Sequence, residues 1–298
     1  MKTLDILTSP WVIQPEKLSE IKSIFQSHFH GEYIDWKSMK AQSGIQLSGE
    51  EKKYQVIGGV AIIPVQGPLT KGMSLMSFLF GGSSMRQIGY NIKAALADTA
   101  VNSLILDIDS PGGTVDGTEE LAELIYQSRG KKPIKAYTDG NMMSGAYWIA
   151  SAADEIFISG DTTMVGSVGV VGTHVDQSES DKQEGIKVTE ITSGPYKRMA
   201  SSHKPLDENS RKYMQNMIDY IAAVFTETAL IRNRKLSEAQ AAEISQSKIY
   251  IGKRAIDAGL VDGISTISAI TSKYSTLQAA IWKKVNQRIQ ELNLRKGA

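Results

Sequence analysis

The rhythm of apolar positions changes near residue 55. Within Pro15 to Phe29, Leu18, Ile21, Ile24, Phe25 and Phe29 recur at helical spacing with charged residues between them. Residues 36–53 are polar and carry no strong period. These patterns predict an N-terminal helical arm over 1–52, with a linker near 40–55. From Val56 onward, short apolar runs alternate with amphipathic stretches. Strands are predicted at Val60–Val65, Ser103–Ile108, Ile134–Tyr137 and Glu155–Ile158. Helices over 84–97 and 116–129, and a third opening at Ser144, fall between them. Such alternation predicts an α/β class fold, a mainly parallel sheet with flanking helices.

Farther along, 164–172 is a run of small residues, followed by a helix over 180–185 and a strand over Lys187–Ile191. A long helix over 207–233 is expected to bury Tyr213, Met217, Tyr220, Ile221, Val224 and Phe225, which recur at helical spacing. Ser237, with Gln240 three residues on, predicts the cap of a helix over 237–245. A last helix over 275–294 places Leu277, Ile281, Val285, Ile289 and Leu292 on one face. The main domain is therefore placed at 53–268, with a C-terminal amphipathic helix over 269–298.

Length and composition narrow the classes. At 298 residues the chain can bury a sizeable core, and a net charge of +1 gives no reason to expect a nucleic-acid partner. The absence of cysteine removes disulfides, thiol catalysis and thiolate metal sites together. Asp5 and Pro10 interrupt the N-terminus where a secretory signal needs an apolar core. No window approaches the ~18 uninterrupted apolar residues of a membrane span. A cytoplasmic protein without membrane contact is expected.

The candidate chemistry begins at Gly140-Asn141-Met142-Met143-Ser144-Gly145-Ala146. A serine between small residues at the head of an apolar helix suits a nucleophile whose hydroxyl must stay uncrowded. Read alone, it is equally an ordinary helix N-cap. It is not a Gly-x-Ser-x-Gly elbow, because Met142 takes the first glycine's place. With only four histidines in the chain, Lys197 in Ser193-Gly194-Pro195-Tyr196-Lys197 is the better candidate base. A lysine acts as a base only where burial or a cationic neighbour lowers its pKa from about 10.4 toward about 7–8, a change of roughly 4 kcal/mol. Ser110-Pro111-Gly112-Gly113 ends a strand with paired glycines, through which an acyl oxygen could reach backbone amides. Alone, that loop is also a simple turn before a helix. Ser167, in Gly166-Ser167-Val168-Gly169, is a hydroxyl able to orient an amine, or an ordinary loop serine.

Taken together, Asp107–Gly113, Met143–Tyr147, Val165–Val170, Ser193–Lys197 and Ile249–Asp262 resemble the signal peptide peptidase A family of Ser/Lys serine peptidases. That family shares the crotonase/Clp-protease-like fold, and the resemblance covers about residues 56–268. It implies that Ser144 is the nucleophile, Lys197 the general base and Ser167 the hydroxyl holding the lysine. It makes the amides of Gly113 and Gly145 the oxyanion hole. It implies a polypeptide substrate, a homo-oligomer, and neither cofactor nor metal. Unlike the membrane-bound bacterial members, the chain reads as lacking an anchor and a tandem second domain. Its Ile6-Leu7-Thr8-Ser9-Pro10-Trp11 start resembles the phage and prophage branch, whose members process capsid assembly proteins. A procapsid maturation protease acting on a capsid or scaffold protein is therefore expected. Three alternatives remain open. These are a housekeeping peptidase of the same chemistry, a non-catalytic assembly protein, and an acyl-CoA-processing crotonase-fold enzyme. The lysine segment argues against the last.

Overall fold

The computed structural model describes residues 10–13, 54–72 and 82–274. The expected helices over Pro15–Phe29 and 275–294, and the linker near 40–55, lie outside those residues apart from the linker's last two positions.

Residues with apolar side chains on both strand faces form the central layer. A six-stranded sheet runs in the order β13 (Gly263–Ile264), β10 (Glu155–Ile158), β8 (Ile134–Thr138), β6 (Ser103–Asp109), β3 (Val60–Gln66) and β2 (Gln55–Ile57). Every neighbouring pair is parallel except β2 with β3. Val60, Ile63 and Val65 of β3, and Leu104, Leu106 and Ile108 of β6, are fully buried. Continuous apolar runs of this kind belong to a parallel sheet covered on both sides. Helices α1 (Met85–Ala97), α2 (Thr118–Tyr126) and α3 (Gly145–Ser151) supply flanking layers, with α2 packed against both α1 and α3. The mainly parallel sheet with flanking helices matches the expectation from strand and helix alternation.

Two smaller sheets stand at the carboxyl ends of the central strands. One orders β1 (Trp11–Ile13), β7 (Gly112–Thr114), β4 (Leu69–Thr70) and β5 (Ser83–Ser84). The other orders β12 (Ile249–Ile251), β11 (Met164–Gly166) and β9 (Asn141–Met143). Each of β7 and β9 leaves a central strand through a tight turn, so the small sheets carry the chain directly to the candidate residues.

Helix α4 (Ser178–Gln183) leads to the segment where a strand was expected, but Lys187–Ile191 is irregular. Val188 and Ile191 are exposed, and no described strand pairs with them. An apolar run forms a strand only where another edge accepts its backbone. The expected helix over 207–233 is α-helical over α5 (Glu208–Phe225) and π-helical over Thr226–Asn233. Its predicted buried face is corrected too. Phe225 is fully buried, whereas Tyr213 and Met217 are 42% exposed and Tyr220 73% exposed. Amphipathic spacing marks a face that avoids water, and here the described residues do not cover it. Helix α6 (Glu238–Ile244) carries the expected Ser237/Gln240 capping box. Helix α7 (Lys253–Asp257) and β13 then return the chain to the central sheet.

Candidate active site

The site starts at the end of β6. The Ser110 hydroxyl donates to the carbonyl of Gly67 at 2.7 Å and accepts from the amide of Gly112 at 3.2 Å, pinning the turn. Its backbone accepts from the amide of Met143 at 3.1 Å and donates to the carbonyl of Asn141 at 2.8 Å. The turn after β6 is thereby tied to β9, the strand that delivers Ser144. Gly112 holds φ +100°, which favours glycine. At Gly113, a Cβ would stand 1.9 Å from the carbonyl oxygen of Leu69, so β7 can approach β4 only without a side chain there.

Ser144 sits between β9 and α3 at φ 51°, ψ −119°. This is a strained strand-to-helix turn, the geometry that projects a nucleophile's hydroxyl from the end of a sheet. The turn is reached here without a leading glycine. It is fixed at both ends: the Ser144 amide donates to the carbonyl of Gly166 at 2.7 Å, and its carbonyl accepts from the amide of Trp148 at 2.9 Å. Its Oγ is buried and has no hydrogen-bond partner among the described residues. A buried hydroxyl left without a partner is costly to keep, and here it coincides with the strained turn. Gly145 opens α3, so its amide is among those for which the helix itself offers no acceptor. The place where a Gly145 Cβ would stand is 3.5 Å from the Gly113 nitrogen, which puts these two glycines side by side.

Ser167 follows β11, the parallel neighbour of β9, and also has positive φ, 52°. Its amide donates to the carbonyl of Lys248 at 2.8 Å. Because Ser144 is bonded to Gly166, the two strained serines end adjacent strands one backbone bond apart. Gly113, Ser144, Gly145 and Ser167 therefore share one end of the sheets. Lys197 is placed differently. It lies exposed in a turn over 195–200, and no hydrogen bond joins its ammonium to Ser144 or Ser167 among the described residues. Tyr196 beside it stacks on Tyr213 of α5, ring centroids 5.1 Å apart.

Helix α3 is braced from behind. Arg129 donates to the carbonyls of Ser151, Ala152 and Ala153 at 3.0, 2.8 and 2.6 Å, satisfying its C-terminal turn. Trp148 stacks on Phe225 at 4.4 Å with rings 6° from parallel. The Tyr147 hydroxyl donates to the carbonyl of Leu260 at 2.9 Å, and burial pushes its pKa upward. Beneath the Ser110 turn, burial raises the Asp107 carboxyl above the usual carboxylate range, with the charges of Asp139 and Asp109 adding to the effect.

Sequence reasoning placed the paired-glycine loop but missed the Ser110 hydroxyl that pins it. A serine at a strand end ahead of Pro-Gly-Gly was the available signal. Nothing in the sequence announced that Trp11–Ile13 would join β7.

Residues 127–280 match the family model described as peptidase family S49. The head-tail preconnector protein GP5 of Enterobacteria phage P21 is 29% identical, covering 82% of this chain and 48% of its own length. The capsid assembly protease C of Escherichia phage lambda is 28% identical, covering 81% of this chain and 56% of its own. The chain thus spans about half the length of these curated relatives. Among solved structures, a ClpP1 variant from Listeria monocytogenes is similar at 13% identity and TM-score 0.43, covering 68% of this chain and 90% of its own.

Proposed function

Because the chain belongs to peptidase family S49, we propose that it is a serine endopeptidase with Ser144 as nucleophile and Lys197 as general base. The observation that carries this reading is the strained Ser144 turn, whose buried hydroxyl is unpartnered among the described residues and which leads directly into Gly145, a neighbour of Gly113. Ser144 Oγ attacks a peptide carbonyl while a neutral Lys197 Nζ takes its proton. The oxygen that gains charge turns to the two glycine amides. Lys197 returns the proton to the leaving amine, and water then hydrolyses the acyl ester. Ser167 orients the lysine.

A lysine must be drawn out of water to act as a base. Lys197 is exposed in the single chain, next to the exposed apolar face of α5. We infer that a second copy covers that face and encloses the lysine, so that the working enzyme is a homo-oligomer. The substrate is assigned to a phage capsid or scaffold protein. Support comes from the two phage relatives, named for capsid assembly and for a head-tail preconnector.

The direct test incubates wild type and Ser144→Ala with phage capsid and scaffold proteins and maps cuts by mass spectrometry. Wild type should cut and Ser144→Ala should not. Equal cutting by both removes Ser144 from the mechanism, and full activity in Lys197→Ala removes the lysine.

A further inference from the structure

The site already holds a peptide strand. Strand β1 lies antiparallel to β7, with Val12 opposite Gly113 and Ile13 opposite Gly112. On its other side, Trp11 exchanges both backbone hydrogen bonds with Val171, each 2.9 Å. Successive residues of a strand turn their backbone groups to opposite edges. With Trp11 committed to Val171, the amide and carbonyl of Val12 turn toward β7.

The Val12 carbonyl points to a particular place. Its oxygen is 2.1 Å from where a Gly112 Cβ would stand, and that same point is 3.0 Å from the Gly145 nitrogen. It is 3.1 Å from where a Gly145 Cβ would stand, a point 3.5 Å from the Gly113 nitrogen. The carbonyl therefore sits at the junction of the two amides assigned above to the oxyanion. Trp11, Val12 and Ile13 are 1%, 0% and 3% exposed, so the segment is enclosed rather than laid on the surface.

We propose that residues 10–13 occupy in cis the groove that binds polypeptide substrate, with Val12 in the place of the residue whose carbonyl is attacked. The inference rests on the serine peptidase reading of the same site. Its content is a binding mode and a substrate class. Substrate enters as an extended strand between Gly112–Thr114 and Val171, held through its backbone on both edges. Side-chain choice falls on all three positions, since Trp11, Val12 and Ile13 are each buried, with a small, branched apolar residue preferred at Val12. Substrate must first displace the chain's own strand, so apparent affinity is reduced by the fraction of molecules in which the groove is filled.

Val12→Pro tests this, because it removes the amide facing β7. The readouts are the rate at which a fluorophosphonate probe labels Ser144, and binding of a fluorescein-labelled peptide, Thr-Ser-Pro-Trp-Val-Ile-Gln-Pro, copied from residues 8–15. Labelling should be about tenfold faster in Val12→Pro than in wild type, and the unlabelled peptide should slow it again. The labelled peptide should bind Val12→Pro carrying Ser144→Ala more tightly than Ser144→Ala alone. Equal labelling rates, with no effect of the peptide, overturn the proposal while leaving the serine peptidase intact. Peptide binding without labelling in any form keeps the groove and overturns the nucleophile. Should Val12→Pro fail to fold, Trp11→Ser, on the Val171 edge, carries the same comparison.

Discussion

At the scale of single residues, the candidate site is made of places where a side chain would be in the way and places where one is strained. Gly113 is the sharpest of the first kind. A Cβ there meets the Leu69 carbonyl at 1.9 Å, so Gly113→Ala must push β7 from β4 and, if the proposed oxyanion hole is right, carry its amide away from that site. The expected outcome is a fall in kcat/KM of about 100-fold or more, the usual consequence of losing one such donor. Retained activity would separate Gly113 from the chemistry. Asp107 gives a prediction in pH. Its folded-state pKa is raised, first by burial and then by the neighbouring Asp139 and Asp109. Between the unfolded and folded values the native state holds more protons than the unfolded one, so stability falls as pH rises through that window. Asp107→Asn removes this slope. Its urea midpoint should exceed wild type's at about pH 7, and the gain should shrink at about pH 4. A difference that does not change with pH would show that Asp107 carries no such linkage. The glycine pair and Ser144 were legible in the sequence because steric demand is written in residue type. Leu69 and Val12 were not, because their parts depend on chain segments brought together only by folding.

At the scale of elements, α3 is the part whose position decides where Ser144 points. Its apolar run announced a buried helix, and Ala146, Tyr147, Trp148, Ile149 and Ala150 are all at most 1% exposed. What holds its far end came from elsewhere in the chain: the Arg129 clamp, the Phe225 ring, and Asn233, whose amide donates to Ser151 Oγ at 3.1 Å. Phe225→Ala removes a fully buried ring stacked on Trp148 and should cost about 3–5 kcal/mol of stability, read by chemical denaturation. A cost under about 1 kcal/mol would mean that the π-helical segment repacks to fill the space. The α6 cap was legible because capping is local, needing only Ser237 and Gln240 three residues apart. The strand expected at Lys187–Ile191 failed for the opposite reason. Apolar composition there carried no information about a pairing edge, and Ile191 stands 96% exposed.

At the scale of the molecule, two discrepancies point the same way. The face of α5 that periodicity assigned to the core is exposed, and the lysine assigned to the serine lies exposed beside it, joined through the Tyr196–Tyr213 stack. Sequence pattern cannot distinguish a face buried within one chain from a face buried between two, since both exclude water by the same physics. If a second copy covers Tyr213, Met217 and Tyr220, association and catalysis should rise together with protein concentration. Tyr220→Glu places a charge on the most exposed of these three side chains. It should leave thermal unfolding of the isolated chain close to wild type, because Tyr220 contributes little to its core. It should also lower the assembly mass seen by sedimentation and reduce peptide cleavage in proportion. Under conditions where wild type is a dissociated monomer, the two proteins should be equally inactive. An assembled Tyr220→Glu protein with full activity would place the subunit contact elsewhere. A monomeric but fully active one would require Lys197 to reach Ser144 within a single chain.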